Sequence, residues 1–171
     1  MPSRQRRLLP DNAAMSFDLT PPGFPAVHGV AHMKQSSLKI EIHSSGRGLF
    51  EFTDRLRAFV RDSGIRDGLL TVFCRHTSAS LLIQENADPD VRHDLESFFA
   101  KLSPDGQPGW RHNNEGPDDM SGHIRSALTQ TSLGIPLVAG ELALGTWQGV
   151  FLWEHRTRPH RREVVLQLIG V

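Results

Sequence analysis

The apolar positions of this 171-residue chain change period several times, and each change predicts an element. In SLKIEIHS, Leu38, Ile40 and Ile42 alternate with Lys39, Glu41 and His43. That is the period of a half-buried strand, with His43 on its solvated face. Ser44-Ser45-Gly46 then turns the chain, and Leu49, Phe52, Leu56, Phe59 and Val60 form one stripe. The stripe predicts a helix over 48–63, ended by Gly64. GLLTVFC (68–74) is a short apolar run bounded by Gly68 and polar residues, which predicts a buried strand in which Cys74 packs rather than reacts. SLLIQEN (80–86) reads as a second strand.

The next helix is well punctuated. Asp88 suits an N-cap, Pro89 the first helical position, and Asp90 adds negative charge to the first turn. Val91, Leu95, Phe98, Phe99 and Leu102 follow at helical spacing, and SPDGQPGW closes the segment as a loop. A third helix is predicted over 118–132, with Met120, Ile124, Ala127 and Leu128 inward. IPLVAGELAL reads as two short strands around Ala139-Gly140, and TWQGVFLWEH and REVVLQLIG as two more. This order predicts an α+β domain with a mixed, largely antiparallel sheet and helices packed on one face. Residues 1–32 hold five of the eleven prolines and no sustained period, which predicts a flexible extension ahead of a single domain over 33–171.

Composition narrows the function classes. Lys plus Arg and Asp plus Glu balance at 19 each, with no basic stripe, so nucleic acid is not the expected partner. No apolar run approaches a membrane span, and MPSRQRR is not followed by the apolar segment of a secretory signal. A single cysteine excludes an intramolecular disulfide and fits a reducing cytoplasm. Nine histidines are the compositional oddity, since imidazole is both a metal ligand and an acid–base group.

Three polar groups interrupt the pattern. In CRHTSASLLIQENADPD, His76 stands at a strand end beside Thr77, Ser78 and Ser80, while Glu85, Asn86 and Asp88 gather at the next strand end and a helix N-terminus. Exposed N–H groups there favour an anion such as phosphate, although a turn and an N-cap account for the same residues. In RHNNEGPDDMSGH (111–123), His112 comes from a loop and His123 from the following helix. Asp119 is i−4 to His123, so both share one helical face and can reach one ion; the alternative is a solvated acidic loop. In LGTWQGVFLWEHRTRPHRR, Trp147-Gln148 and Trp153-Glu154-His155 precede Arg156, Arg158, Arg161 and Arg162. That stretch is either a charged hairpin tip or a guanidinium group for phosphate.

HTSASLLIQENADPDVRHDLESFF, RHNNEGPDDMSGHIRSALTQTSLGIPL and LGTWQGVFLWEHR together resemble the YjbQ-type family, also called secondary thiamine-phosphate synthases. The likeness runs from about Gln35 to Gly170 and leaves the N-terminal extension out. The family's shared histidines match His76, His112 and His123, and its NEN-DP segment matches Gln84-Glu85-Asn86-Ala87-Asp88-Pro89, with Gln in the first place. The family's loop often has an acidic residue after its first histidine, where this chain has Asn113. The resemblance implies a compact α+β subunit, a homotrimer, and a secondary synthase activity in which a thiazole nitrogen attacks the methylene carbon of a pyrimidine-methyl diphosphate.

On this reading His76, His112 and His123 hold a divalent ion, zinc or magnesium, and His76, Glu85 and Asp88 are the catalytic candidates. Ser78, Asn86, Trp147, Gln148 and Arg156 are candidates to bind a small phosphorylated metabolite, with Trp147 stacking on a heteroaromatic ring. The bulk of VFLW and VVLQLIG, taken with the resemblance, predicts burial between subunits. Two other readings compete: a metal-dependent hydrolase of a phosphorylated metabolite, and a non-catalytic trimer that binds a metabolite or metal.

Overall fold

The computed structural model describes residues 32–171. The extension expected over 1–32 lies, apart from His32, outside the described residues. Eight strands and three helices are described: β1 (Lys34–His43), β2 (Gly48–Glu51), α1 (Thr53–Ser63), β3 (Gly68–Cys74), β4 (Ala79–Glu85), α2 (Pro89–Leu102), α3 (Asp119–Leu128), β5 (Ser132–Val138), β6 (Glu141–Leu142), β7 (Gln148–Glu154) and β8 (Arg161–Gly170). The α+β class stands, but the single expected sheet is two. A five-stranded sheet runs β1-β8-β3-β5-β6 and a three-stranded sheet runs β2-β7-β4. Every pairing in both is antiparallel.

The core lies where the two sheets face each other. Alternation puts Ile40 and Ile42 of β1, Leu70 and Val72 of β3, and Val164, Leu166 and Leu168 of β8 on one inner face. Leu81 of β4 and Val150 and Leu152 of β7 supply the other, and Leu56, Phe59 and Val60 of α1 close one side. Six of these leucines are fully buried, each contributing roughly 1.5–3 kcal/mol relative to exposure. Helices α1 and α2 contact the three-stranded sheet at β7 and β2, and α3 contacts it at β4.

Three expectations are corrected. The stripe assigned to a helix from 48 begins with a strand, because Gly48–Glu51 pairs with β7 and only Thr53–Ser63 is helical. VFLW is not left over for a neighbouring subunit: β7 is the central strand of its sheet, with Val150, Phe151, Leu152 and Trp153 all buried within the chain. Helix α3 is rotated from the expected apolar face. It buries Asp119, Ser121, Gly122, Arg125 and Ser126, while Met120 and Ile124 are half-buried and Ala127 and Leu128 are exposed. Small polar side chains let α3 sit close to β4, where the Ser126 hydroxyl donates to the Ala79 carbonyl at 3.0 Å. Among the described residues, no helix is long and apolar enough to cross a membrane.

The turn before β3 and the end of β8 approach so closely that neither side tolerates a side chain. A Cβ on Gly170 would fall within 3 Å of the Asp67 carbonyl and the Gly68 Cα, both backbone atoms that cannot rotate away. Gly170→Ala is therefore expected to cost about 1–3 kcal/mol, as overpacking does. Gly134→Ala, whose new methyl would meet only the Leu69 side chain at an ordinary 3.6 Å, should stay within about 0.5 kcal/mol. Denaturant unfolding of the two variants checks this, and equal losses would contradict it.

Candidate metal centre

The site forms where the loop between α2 and α3 meets the end of β7. Loop residue Gly106 donates its N–H to the Pro117 carbonyl at 2.8 Å, and Arg47 grips Asp105 at 2.9 and 3.0 Å, so the loop is pinned at its base. Asp118 stands at the N-cap of α3 but does not cap it. Its Oδ2 instead accepts from the Thr157 N–H at 2.7 Å and the Thr157 hydroxyl at 2.9 Å. Burial opposes its ionisation, but these bonds and the Arg156 guanidinium outweigh that and hold the carboxyl at about 2.

Arg156 is the hub. Its Nη1 donates to Glu115 Oε2 and to Asp119 Oδ1, each at 3.0 Å, and its Nη2 donates to the Glu115 carbonyl at 2.9 Å. The guanidinium passes beneath α3 at Gly122, where a Cβ would lie 3.1 Å from the Arg156 Cδ. Arg156 was expected to bind phosphate; both of its Nη atoms are taken up by Glu115, Asp118 and Asp119, while Nε lies 3.3 Å from Asp118 Oδ2 without a hydrogen bond, so it positions the site rather than presenting an open fork to an anion.

Asp119, fully buried, has one imidazole against each of its oxygens. His112 Nε2 lies 3.1 Å from Asp119 Oδ2, and His123 Nε2 lies 3.5 Å from Oδ1. The His112 contact is out of line for a hydrogen bond, so Oδ2 is a buried acceptor without a donor. His123 Nδ1 is 3.1 Å from the Thr77 carbonyl. A carbonyl only accepts, so that nitrogen carries the proton and Nε2 of the neutral ring keeps its lone pair. One donor atom from each of His112, Asp119 and His123 lies within 4.8 Å of the other two. Bonds of about 2 Å to zinc would require the three to draw in by roughly 1 Å. Two imidazoles and a carboxylate that no proton satisfies fit a divalent cation.

His76 is not in this group. Its Nε2 accepts the Glu163 N–H at 2.7 Å, and its Nδ1 faces the Arg162 guanidinium at 3.4 Å. Burial and then the Arg162 charge push its pKa down, consistent with a neutral acceptor. The expected three-histidine set is thus replaced, within one chain, by two histidines and Asp119. The change has a steric cause: Thr77 offers its carbonyl to His123, while the His76 ring beside it turns toward β8. Ser78 is also engaged, its hydroxyl accepting from Arg162 at 3.1 Å.

The remaining candidates gather elsewhere. Glu85 and Gln148 are register partners, Asn86 donates its N–H to the Trp147 carbonyl at 3.0 Å, and Asp88 caps α2 by accepting the Asp90 N–H at 2.8 Å. Gln148 closes its own turn by accepting the Gly145 N–H at 2.8 Å. This cluster lies at the start of β7 and Arg156 lies beyond its end, so the two groups are separated by a strand roughly 20 Å long. Glu85 and Asp88 therefore do not share a reaction centre with His112 and His123 within one chain.

Sequence reading missed two buried networks at the end of β7. Glu154 accepts from Arg162 Nη2 at 2.5 Å and Nε at 2.7 Å, and from the Ser44 hydroxyl at 3.0 Å. His155 Nε2 lies 2.8 Å from the Ser80 hydroxyl. The distance matches a nucleophile–base pair, but both residues are fully buried and His155 Nδ1 has no orienting partner, so the pair is structural. Only the polar run Glu154-His155-Arg156 after four apolar residues signalled these networks.

Residues 36–171 match the family model described as UPF0047 protein YjbQ-like. A UPF0047 protein of Synechocystis is 55% identical over 144 residues, covering 84% of this chain and 98% of that protein. The YjbQ protein of Escherichia coli O157:H7 is 40% identical over 132 residues, covering 77% and 95%. A conserved hypothetical protein of Thermus thermophilus has a TM-score of 0.67 at 36% identity over 75% of this chain and 97% of that one. A YbjQ-like protein of unknown function from Sulfolobus solfataricus shares the fold at a TM-score of 0.75 and 23% identity, over 82% of this chain and 100% of that one.

Burial, and then the charges of Arg125, Arg47 and Arg162, push His155 down to about 3 from an ordinary 6.5. The folded protein keeps this ring neutral, whereas the unfolded chain takes up a proton below about pH 6.5. Its contribution to stability is therefore complete above that pH and is lost as the pH falls toward 3. The slope from this one group approaches about 1.4 kcal/mol per pH unit. Wild type should lose stability between pH 6 and 4 more steeply than His155→Gln by that amount, read from denaturant unfolding. Parallel slopes would mean that the ring is protonated in the fold.

Proposed function

The chain belongs to the YjbQ-like UPF0047 family, and within it we propose that this protein is a metal-assisted enzyme acting on a small phosphorylated metabolite. The observation that carries the reading is the buried Asp119 carboxylate, whose Oδ2 faces His112 without a hydrogen-bond donor and whose Oδ1 lies beside His123. When bound, a divalent ion supplies charge and Lewis acidity at a phosphate oxygen. Arg156 fixes Asp119, and the Thr77 carbonyl fixes the His123 tautomer, so the donors are set before any ligand arrives. Beside them a pocket of about 520 Å³ is bordered by Asn114, Glu115, Asp118, Arg156, Arg158 and His160, with Glu115 held by Arg156. With Arg156 neutralised by carboxylates, Arg158 and His160 are the groups left to meet an anion.

The assignable reaction is the thiamine-phosphate synthase type. The thiazole nitrogen lone pair forms a C–N bond to the pyrimidine methylene carbon, the C–O bond to diphosphate breaks, and the leaving group keeps that electron pair. No proton need move, so positioning and charge neutralisation suffice and no protein base is required. This chemistry suits the geometry, in which Glu85 is remote from the metal donors. A hydrolase is the second reading, favoured because three protein ligands leave a coordination position for water. Product analysis of a pyrimidine-methyl diphosphate with and without the thiazole phosphate separates the two: hydrolysis proceeds without the acceptor.

We further propose a cytoplasmic homotrimer. Leu69 and Phe73 of β3 and Ile169 of β8 are half-exposed on the outer face of the five-stranded sheet, with Leu69 and Ile169 paired in register. Such a contiguous patch suits a subunit contact. Light scattering should return three times the 19.1 kDa chain mass, and a monomer at micromolar concentration would end this proposal.

For the metal, zinc added to metal-free wild type at about 100 times its dissociation constant should raise stability by about 2.7 kcal/mol. His112→Ala, a half-exposed position, should change the metal-free stability by less than about 0.5 kcal/mol and abolish the zinc-dependent rise. An unchanged response to zinc in this variant would place the ion elsewhere.

A further inference from the structure

The loop that delivers His112 also builds a cup beside it. Gly106 and Gly116 take positive φ, at +62° and +122°, and bend the segment back on itself. The Gly106–Pro117 and Gly116–Asn113 backbone bonds then close it. The cup has a volume of about 380 Å³ and is lined by Gly106, Gln107, Trp110, His112, Asn113 and Pro117. That volume falls within the range of small-molecule sites.

We infer that Trp110 is the stacking wall of the substrate site and that the cup takes a neutral, planar nitrogen heterocycle. Three features point that way. First, the lining carries no carboxylate, lysine or arginine, so it offers nothing to balance a charged group. Second, it combines one half-buried indole and a proline ring with the amides of Gln107 and Asn113. Flat apolar surface beside donors and acceptors suits a heteroaromatic ring whose edge carries nitrogen. Third, His112 is shared between the cup and the proposed metal donors, so a ring lying on Trp110 places a one-carbon phosphate arm toward the ion. Trp147, expected from the sequence to stack, is 63% exposed on the turn before β7 and far from these donors. The inference rests on the metal-assisted reading for the phosphate arm but not for the ring.

Two probes separate these parts. Pyrimidine-methanol, which carries no phosphate, tests the cup in metal-free Trp147→Phe protein, in which Trp110 and the buried Trp153 are the remaining indoles. It is expected to quench the fluorescence, and titration calorimetry, which needs no indole reporter, should show the added change Trp110→Ala weakening its binding about tenfold or more, the size of one base–aromatic stack. Trp110→Phe should retain most of the affinity, which guards against a loss caused by misfolding of the loop. Zinc with inorganic phosphate tests the ion, and Trp110→Ala should leave that binding unchanged. Ring binding that fails to respond to either Trp110 substitution, or no ring binding in protein that still binds zinc and phosphate, overturns the inference. Ring binding that depends on Trp110 in protein that does not take up zinc upholds the cup and removes the metal reading instead.

Discussion

Everything at the candidate site depends on Arg156 being neutralised underneath α3. A guanidinium buried this deeply is costly unless its charge is met, and Asp118, Asp119 and Glu115 meet it, through hydrogen bonds at both Nη atoms and an ion pair at Nε. Those contacts join the end of β7, the start of α3 and the loop before it into one unit. The union has a steric condition at Gly122, where any larger residue would press on the arginine stem. It also has an electrostatic consequence. Asp119 gives Oδ1 to Arg156 and has an imidazole beside each oxygen, so the carboxylate is oriented by the protein and not by whatever ion it meets.

The alternation of β7 explains how one strand serves three networks. Leu152 and Glu154 point the same way, and the apolar core gives way at Glu154 to an ion pair with Arg162. Trp153 and His155 point to the other side, where Trp153 packs on Phe99 of α2 and donates to Glu96. Arg156 then leaves the strand for α3. Three consecutive polar residues thus enter separate surroundings, and each is bonded to a different element: Glu154 to β8, His155 to β4 and Arg156 to α3. The arrangement also accounts for the polar inner face of α3. Arg125 is fully buried on it and reaches the Ser103 carbonyl and Glu96, which ties α3 to α2 through charge and hydrogen bonding rather than through leucines.

Local rules made much of the fold legible. The alternation in β1 and β8, the Asp88–Pro89 helix start and the Gly64 stop are short-range signals, and each appears where its pattern predicts. The division into two sheets was not legible, because strand partners are chosen across the whole chain and Gly48–Glu51 fits a helical stripe as well as it fits β7. The orientation of α3 was hidden for a different reason. Pattern reading assumes that the apolar face turns inward, and this helix buries serine, glycine, arginine and aspartate. At the site, the i−4 spacing brought Asp119 and His123 together on the page before it did so in space. The direction of the His76 ring was hidden because its partner, Glu163, is distant in sequence, and Trp110 went unread because the loop around it is closed by a backbone bond from Gly106 to Pro117 that carries no side-chain signal.

The donor set bears on which ion the proposed site would take. Magnesium prefers six oxygens and holds several waters, whereas imidazole suits zinc and its neighbours among the transition metals. Two nitrogen donors and one carboxylate therefore favour zinc over magnesium. Around these donors Asp118, Asp119 and Glu115 outnumber the single charge of Arg156, a balance that favours a cation. A bound ion would lie between a neutral cup and a pocket edged by Arg158 and His160, and would be the group to meet a phosphate oxygen.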